Sequence, residues 1–363
     1  MNDTHDAAQN SEQNLSQNPS SFKSRLQEGL WLQELENFSF ATLQIESQAL
    51  RGNPLGDPTL RRNPVLVPRA QAPAQGWPVV FVLSGLTGNG TYSFGQKYRA
   101  PNTAETLDLA CKRGEAPLAI YVFCDAMTYW GGSQFINSEG TGRYEDFVLN
   151  ELVEAVKREC AVTNDRQKWC VSGGSSGGYG ALHLATKRPD VFGFAAAIAP
   201  DSFFEASLLP DLYTALPVLT SLGGINAVRR EMEAGRWMKR KEAFPVLNAI
   251  AMGLCYAPSS DGTIEYPLDA ETGILKPETW SKWKRHDPVE FIKERSESAA
   301  RLDMIYLDVG TRDQFQLLFG TRQIRDRFHD LRVSCDYSEF EGTHFDIGER
   351  RSNFWKWLKQ NWS

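Results

Sequence analysis

The sequence predicts an α/β layer fold built on a mostly parallel central sheet flanked by helices. Three observations predict it. Short, nearly continuous apolar runs recur along the chain, as strands covered on both faces require. Segments of helical periodicity separate those runs. A glycine-dense strand-to-helix junction, KWCVSGGSSGGYGALHLATK, lies in the middle of the chain.

Taken in order, residues 1–20 are rich in Asn, Gln and Ser and read as a disordered tail. They carry neither a basic start nor an apolar run, so they do not form a secretory signal. Residues 24–37 read as a short amphipathic segment. Residues 38–47 alternate like a strand, with residues 62–67 as its hairpin partner. VVFVL (79–83) and LAIYVFC (118–124) then read as strands of a parallel sheet. Residues 144–160 read as a helix with acidic residues in its first turn and basic ones in its last, as the helix dipole favours. Strands at 169–172 and 194–199 flank a helix at 177–187. Beyond them come a strand at 304–309, a helix at 314–331, a strand at 333–340 and a terminal helix near 352–360. This alternation is the mark of βα units.

Residues 201–299 break the rhythm: they hold no convincing sheet strand. Open α/β sheets bind ligands at the carboxyl ends of their strands, so this block is expected to cover that edge as a lid-like insertion. The expected organisation is a tail (1–20), a core in two parts (21–200 and 300–363), and the insertion between them. The basic run RWMKRK (236–241) reads as a solvated face, because Glu231, Glu233 and Glu242 surround it.

Composition narrows the function. The chain has 363 residues, 45 acidic and 39 basic side chains, and a formal net charge of −6. This balance argues against a nucleic-acid surface. No run of about 18 apolar residues exists, so no membrane-spanning helix is expected. Cys111, Cys124, Cys160, Cys170, Cys255 and Cys335 are widely spaced without a CxxC pair. That pattern points to reduced thiols in a cytoplasm, not to a zinc site or a disulfide framework. An exported form whose signal has been removed is also compatible.

The chemistry is carried by the junction. It contains G-x-S-x-G between a strand and a helix, where a serine in a strained turn is exposed as a nucleophile and its neighbours two residues away must be small. Two registers overlap. One names Ser175, the other Ser176, and local sterics do not separate them. A serine nucleophile needs a base, and the base needs an orienting acid. Of five histidines, His5 is in the tail, His183 lies within a helix, His286 lies in the insertion, and His329 ends a helix. His344, in the glycine-containing loop FEGTHFDIG after the last strand, is the candidate base. The acid belongs on a loop between serine and histidine. YLDVGTRDQF offers Asp308, inside a strand run, and Asp313, past the Gly310-Thr311 turn. Asp313 is favoured. The loop LSGLTGNGTYSF supplies the candidate second oxyanion donor, the amide of Leu86, to act with the amide of Ser176. Its glycines are expected to turn those amides toward a ligand. The loop contains neither a GKS/GKT sequence nor G-x-G-x-x-G, which disfavours nucleotide binding.

Four blocks together resemble the esterase D branch of the α/β-hydrolases, the putative-esterase family. Its members include S-formylglutathione hydrolases, feruloyl and acetyl-xylan esterases, enterochelin esterases and mycolyltransferases. LSGLTG is similar to the family's oxyanion loop and GGSSGGYGAL to its elbow. DVGTRDQF is similar to its acid segment and EGTHFDI to its histidine loop. Aligning Gly180-Ala181-Leu182 with the family's G-A-L implies Ser175 as nucleophile, with Asp313 and His344 completing the triad. The resemblance implies an α/β-hydrolase fold and a serine esterase working through an acyl-enzyme, with no cofactor and no metal. It also implies a small-molecule ester as the partner, and a homo-oligomer is compatible with it. An acyltransferase with the same triad and a non-catalytic binding module are the alternatives. Trp130, Gln134, Asn137 and Tyr179 are candidate substrate-pocket residues.

Overall fold

A computed structural model describes residues 23–28, 34–95, 100–259 and 263–362. The predicted tail lies outside the described residues. β1 (Lys23–Glu28), β2 (Phe38–Glu46) and β3 (Leu60–Pro68) form an antiparallel edge. β3 pairs antiparallel with β5 (Ile120–Phe123). From there the sheet is parallel through β4 (Val79–Leu83), β8 (Trp169–Gly174), β9 (Phe194–Ile198), β10 (Met304–Gly310) and β11 (Ser334–Phe340). The order is β1-β2-β3-β5-β4-β8-β9-β10-β11, and β6 (Asn137–Ser138) and β7 (Gly142–Arg143) make a separate small ribbon. The segment read as amphipathic, 24–37, overlaps β1.

The apolar runs of the parallel strands are continuous because helices cover both faces. Val79, Phe81, Ile120, Val122, Trp169, Val171, Ile305 and Leu307 face one core, shared with the helix Ser176–Lys187. Val80, Tyr121, Phe123, Cys170 and Tyr306 face the other, against the helices Thr103–Lys112 and Arg351–Trp362. Each large apolar side chain buried this way contributes about 1.5–3 kcal/mol. The helix predicted at 144–160 is present, but a π-helical stretch, Phe147–Leu152, interrupts it. The helix predicted from 314 begins only at Leu317, because Gln316 takes a left-handed conformation (φ 59°). That delay leaves Asp313 on a loop.

Between β9 and β10 come seven α-helices, from Phe204–Ser207 to Ser296–Ala299, and the described β-pairing there amounts to isolated bridges. Val246, Trp283 and Phe291 of this segment join the same core as Phe81 and Val171. Asp287, fully buried, accepts from the amides of Phe203 (3.0 Å) and Phe204 (2.9 Å), which ties the start of the segment to its far end. The basic run is a short turn with Trp237 buried and Arg236 paired with Glu231 (2.7 Å). Among the described residues no helix is long and apolar enough to cross a membrane.

Candidate active site

The strand-to-helix junction is built by close contacts that exclude side chains. A Cβ on Gly173 would stand 2.3 Å from the carbonyl carbon of Gly177, and one on Gly177 would stand 2.4 Å from the oxygen of Leu83. β8 can pass beside β4 and turn into the helix only with these two positions bare. Between them Ser175 sits at φ 58° and ψ −130°, a region that costs a non-glycine residue about 1–3 kcal/mol. Its amide is held by the carbonyl of Ile198 (3.0 Å) at the end of β9. Ser176 instead begins the helix, and its hydroxyl points to Asp201 (2.7 Å). The two overlapping registers therefore have different surroundings.

His344 lies in the short turn after β11, its position set by a reciprocal cap between Thr343 and Asp346. Its Nε2 is 3.0 Å from Ser175 Oγ and its Nδ1 is 2.8 Å from Asp313 Oδ2. Asp313 Oδ1 accepts from the amide of Phe315 (2.9 Å), which orients the carboxylate. The ring of Phe315 packs edge-on against His344, with centroids 4.9 Å apart. Asp308 has other partners: Arg350 Nε (2.7 Å), Tyr306 Oη (3.0 Å) and Ser338 Oγ (3.0 Å).

The loop after β4 brings Leu86 beside Ser175 and Ser176. Among the described residues, neither the Leu86 nor the Ser176 amide donates to another protein group. The turn of this loop does not rest on glycine at its left-handed position. Its left-handed residue is Thr87 (φ 67°), whose amide bonds to the carbonyl of Gly131 (2.8 Å). At Gly90 the need is for space: a Cβ there would lie 2.4 Å from the carbonyl oxygen of Phe123.

Two cavities meet at Ser175. One, lined mainly by apolar side chains, runs between β4, β8 and β9 and the terminal helix, with Leu107, Phe123, Ile198, Ile347 and Phe354 in its walls and Arg351 and Thr103 among its polar lining. The other, smaller, lies under the insertion and is lined by Leu86, Ser176, Asp201, Phe244, Asn248 and Phe315, among others.

Asp201, which sequence reasoning missed, is a second carboxylate at the site. Oδ1 is 3.3 Å from Ser175 Oγ, while Oδ2 accepts from Ser176 Oγ (2.7 Å) and Gln134 Nε2 (3.1 Å). Burial pushes this carboxyl above the usual carboxylate range, against those hydrogen bonds. The available signal was its position just past the strand beside the elbow, at the sheet edge where ligands bind.

The four candidate pocket residues separate. Gln134 is buried at the site, holding Asp201 and the hydroxyl of Tyr256 (3.1 Å). Trp130 is buried against Tyr129 and Arg229 and lines neither cavity; its neighbour Gly131 braces Thr87. Asn137 is exposed, and its side chain accepts from the amide of Asp146 (3.1 Å). Tyr179 is buried and stacked on His183, with centroids 6.0 Å apart.

His183 itself lies between Glu145 and Arg295, at 2.5 and 3.2 Å. Burial pushes it down to about 4, and the neutral ring donates to Glu145 and accepts from Arg295. Among the described residues no group of His, Cys, Asp and Glu could hold a metal ion.

The chain is similar in structure to a ferulic acid esterase, at 16% identity and TM-score 0.55 over 90% of this chain and 99% of that one. It is similar to FphF, a fluorophosphonate-binding serine hydrolase of Staphylococcus aureus, at 13% identity and TM-score 0.54 over 89% and 99%. It is also similar to an S-formylglutathione hydrolase from Agrobacterium tumefaciens, at 15% identity and TM-score 0.52 over 93% and 100%. At these identities the likeness establishes the α/β-hydrolase fold and nothing finer. No curated protein matches the chain. The model of the family described as "Putative esterase" matches residues 61–348, most of the chain. The chain therefore belongs to the putative esterase family and is a serine carboxylester hydrolase.

Proposed function

We propose that ester hydrolysis runs through Ser175, His344 and Asp313 by way of an acyl-enzyme. The supporting observation is the unbroken hydrogen-bonded series from Ser175 Oγ through His344 to Asp313, at 3.0 and 2.8 Å. His344 Nε2 accepts the hydroxyl proton as Ser175 Oγ bonds to the ester carbonyl carbon. Asp313 holds the ring in the required tautomer and stabilises the imidazolium. The Leu86 and Ser176 amides receive the oxyanion, a term worth about 2.7–4 kcal/mol per donor in related chemistry. His344 returns the proton to the departing alcohol. Water, deprotonated by the same ring, then attacks the acyl-serine; as the bond from the acyl carbon to Ser175 Oγ breaks, His344 returns the proton to Oγ and the acid leaves.

The apolar cavity at Ser175 favours an apolar half of the ester there. Residues 201–299 act in this reading as the cover of the site, since Asp201, Phe244 and Asn248 wall the second cavity. The six cysteines stand as separate thiols, which supports a reducing, cytoplasmic setting.

Intact-mass labelling with a fluorophosphonate, alongside turnover of p-nitrophenyl esters from acetate to octanoate, tests the mechanism. Wild type is expected to take one adduct that Ser175→Ala loses and Ser176→Ala keeps. An adduct lost only in Ser176→Ala would move the nucleophile, and a folded wild type that neither labels nor turns over would remove the mechanism.

A further inference from the structure

Asp201 is not needed to complete the triad, yet it touches the nucleophile and opens onto the second cavity. Its partners are two hydroxyls and an amide; among the described residues it has no Lys or Arg ion-pair partner. Three neutral donors do not cancel a charge, and a buried carboxylate without a counter-charge costs several kcal/mol. No basic side chain lines the described walls of this cavity. Asn248 on that wall is bonded to a further carboxylate, Asp211 (2.8 Å), so negative potential adds from behind. Leucines and serines fill most of the remaining wall, and two aromatic rings stand in it: Phe244 and Phe315, packed on each other with centroids 5.6 Å apart. A carboxylate floor with aromatic sides is the chemistry that holds an alkylammonium group, by ion pairing and by attraction to ring faces. A hydroxyl would add another neutral donor and leave the charge uncompensated.

We propose that Asp201 is a specificity-determining residue that pairs with a cationic ammonium group on the ester, beside the packed pair Phe244 and Phe315, while the apolar half of the ester occupies the larger cavity. The proposal rests on the esterase mechanism above and names the substrate class of the same site.

The test compares charged esters with uncharged isosteres. On the alcohol side the pair is butyrylcholine and 3,3-dimethylbutyl butyrate. On the acyl side it is the p-nitrophenyl esters of 4-(trimethylammonio)butanoate and 5,5-dimethylhexanoate. Fluorophosphonate labelling of Ser175 is followed in the same preparations. In wild type at least one pair should favour the cation about tenfold or more in kcat/KM, and the pair that does so identifies which half of the ester sits on Asp201. Asp201→Asn, which keeps the size and removes the charge, should bring that ratio below about threefold, whatever it does to either rate alone. Asp201→Leu should do the same.

Labelling at Ser175 with no preference in either pair overturns the proposal and leaves the esterase mechanism standing, whether both esters react alike or neither reacts. A preference that survives Asp201→Asn also overturns it. A folded wild type that is not labelled and cleaves none of the four esters removes the mechanism and the proposal together.

Discussion

Nδ1 of His344 lies 2.8 Å from Oδ2 of Asp313, while Asp308, on the same β10 segment, is bound by Arg350 at 2.7 Å. Two buried carboxylates five residues apart thus face different partners. Asp313→Asn should lower kcat by about a thousandfold or more, since a wrongly held imidazole cannot accept the serine proton. Asp308→Asn should leave the labelling of folded protein intact but destabilise the chain by roughly 3 kcal/mol, because it breaks a buried ion pair. Urea midpoints and p-nitrophenyl butyrate kinetics on both variants separate the two roles.

The elbow tolerates no Cβ two residues from Ser175. Gly173→Ala and Gly177→Ala would each force an atom to within about 2.4 Å of neighbouring backbone. Each should lose fluorophosphonate labelling and at least about 3 kcal/mol of stability, the upper range of overpacking costs. Gly223→Ala, at a helix end where nothing lies within 4 Å, should keep labelling and lose less. Labelling rate and thermal midpoint read both effects.

His183 gives stability a dependence on acid. Burial pushes it down to about 4 in the fold, whereas the unfolded chain takes up its proton near 6.5. A depressed folded value means that the contribution is complete above about pH 6.5 and disappears as pH falls through about 4. The difference corresponds to about 3 kcal/mol. Urea midpoints between pH 7 and 4 should fall, and His183→Gln should flatten that fall by close to one proton.

The apolar cavity should set chain length. Thr103 lines it at the start of the helix Thr103–Lys112. Thr103→Trp should reduce the octanoate-to-acetate ratio of kcat/KM by about tenfold, as measured with p-nitrophenyl esters. A ratio that does not change would place the acyl chain elsewhere.

Burial pushes the thiols up: Cys160 to about 11, and Cys111 and Cys335 to about 12. Ellman's reagent at pH 8 should therefore find little thiol in the folded protein and six in denaturant.

Much of the site was legible because its parts are local. Ser175, Asp313 and His344 each follow a strand by a short turn whose residue types are visible in the chain. The choice between Ser175 and Ser176 was not legible from local sterics, since both have glycine neighbours. It turns on which hydroxyl faces His344, a residue 169 positions away. Trp130 and Asn137 were plausible because they follow a strand end, but burial under Arg229 and exposure on a small ribbon took them away from the cavities.

The sequence by itself determined the sheet-and-helix alternation, the strained serine turn and the residue types of the proposed triad. Each depends on backbone preference and on apolar patterning within a few residues. Only the tertiary structure decided that Asp201 would stand beside Ser175. The pairing of Gly174 with Ile198 across β8 and β9 brings the carboxylate there, and Asp287 anchors the chain just beyond it. Contacts of this kind are set by strand register and by packing between distant segments, so no local pattern announces them.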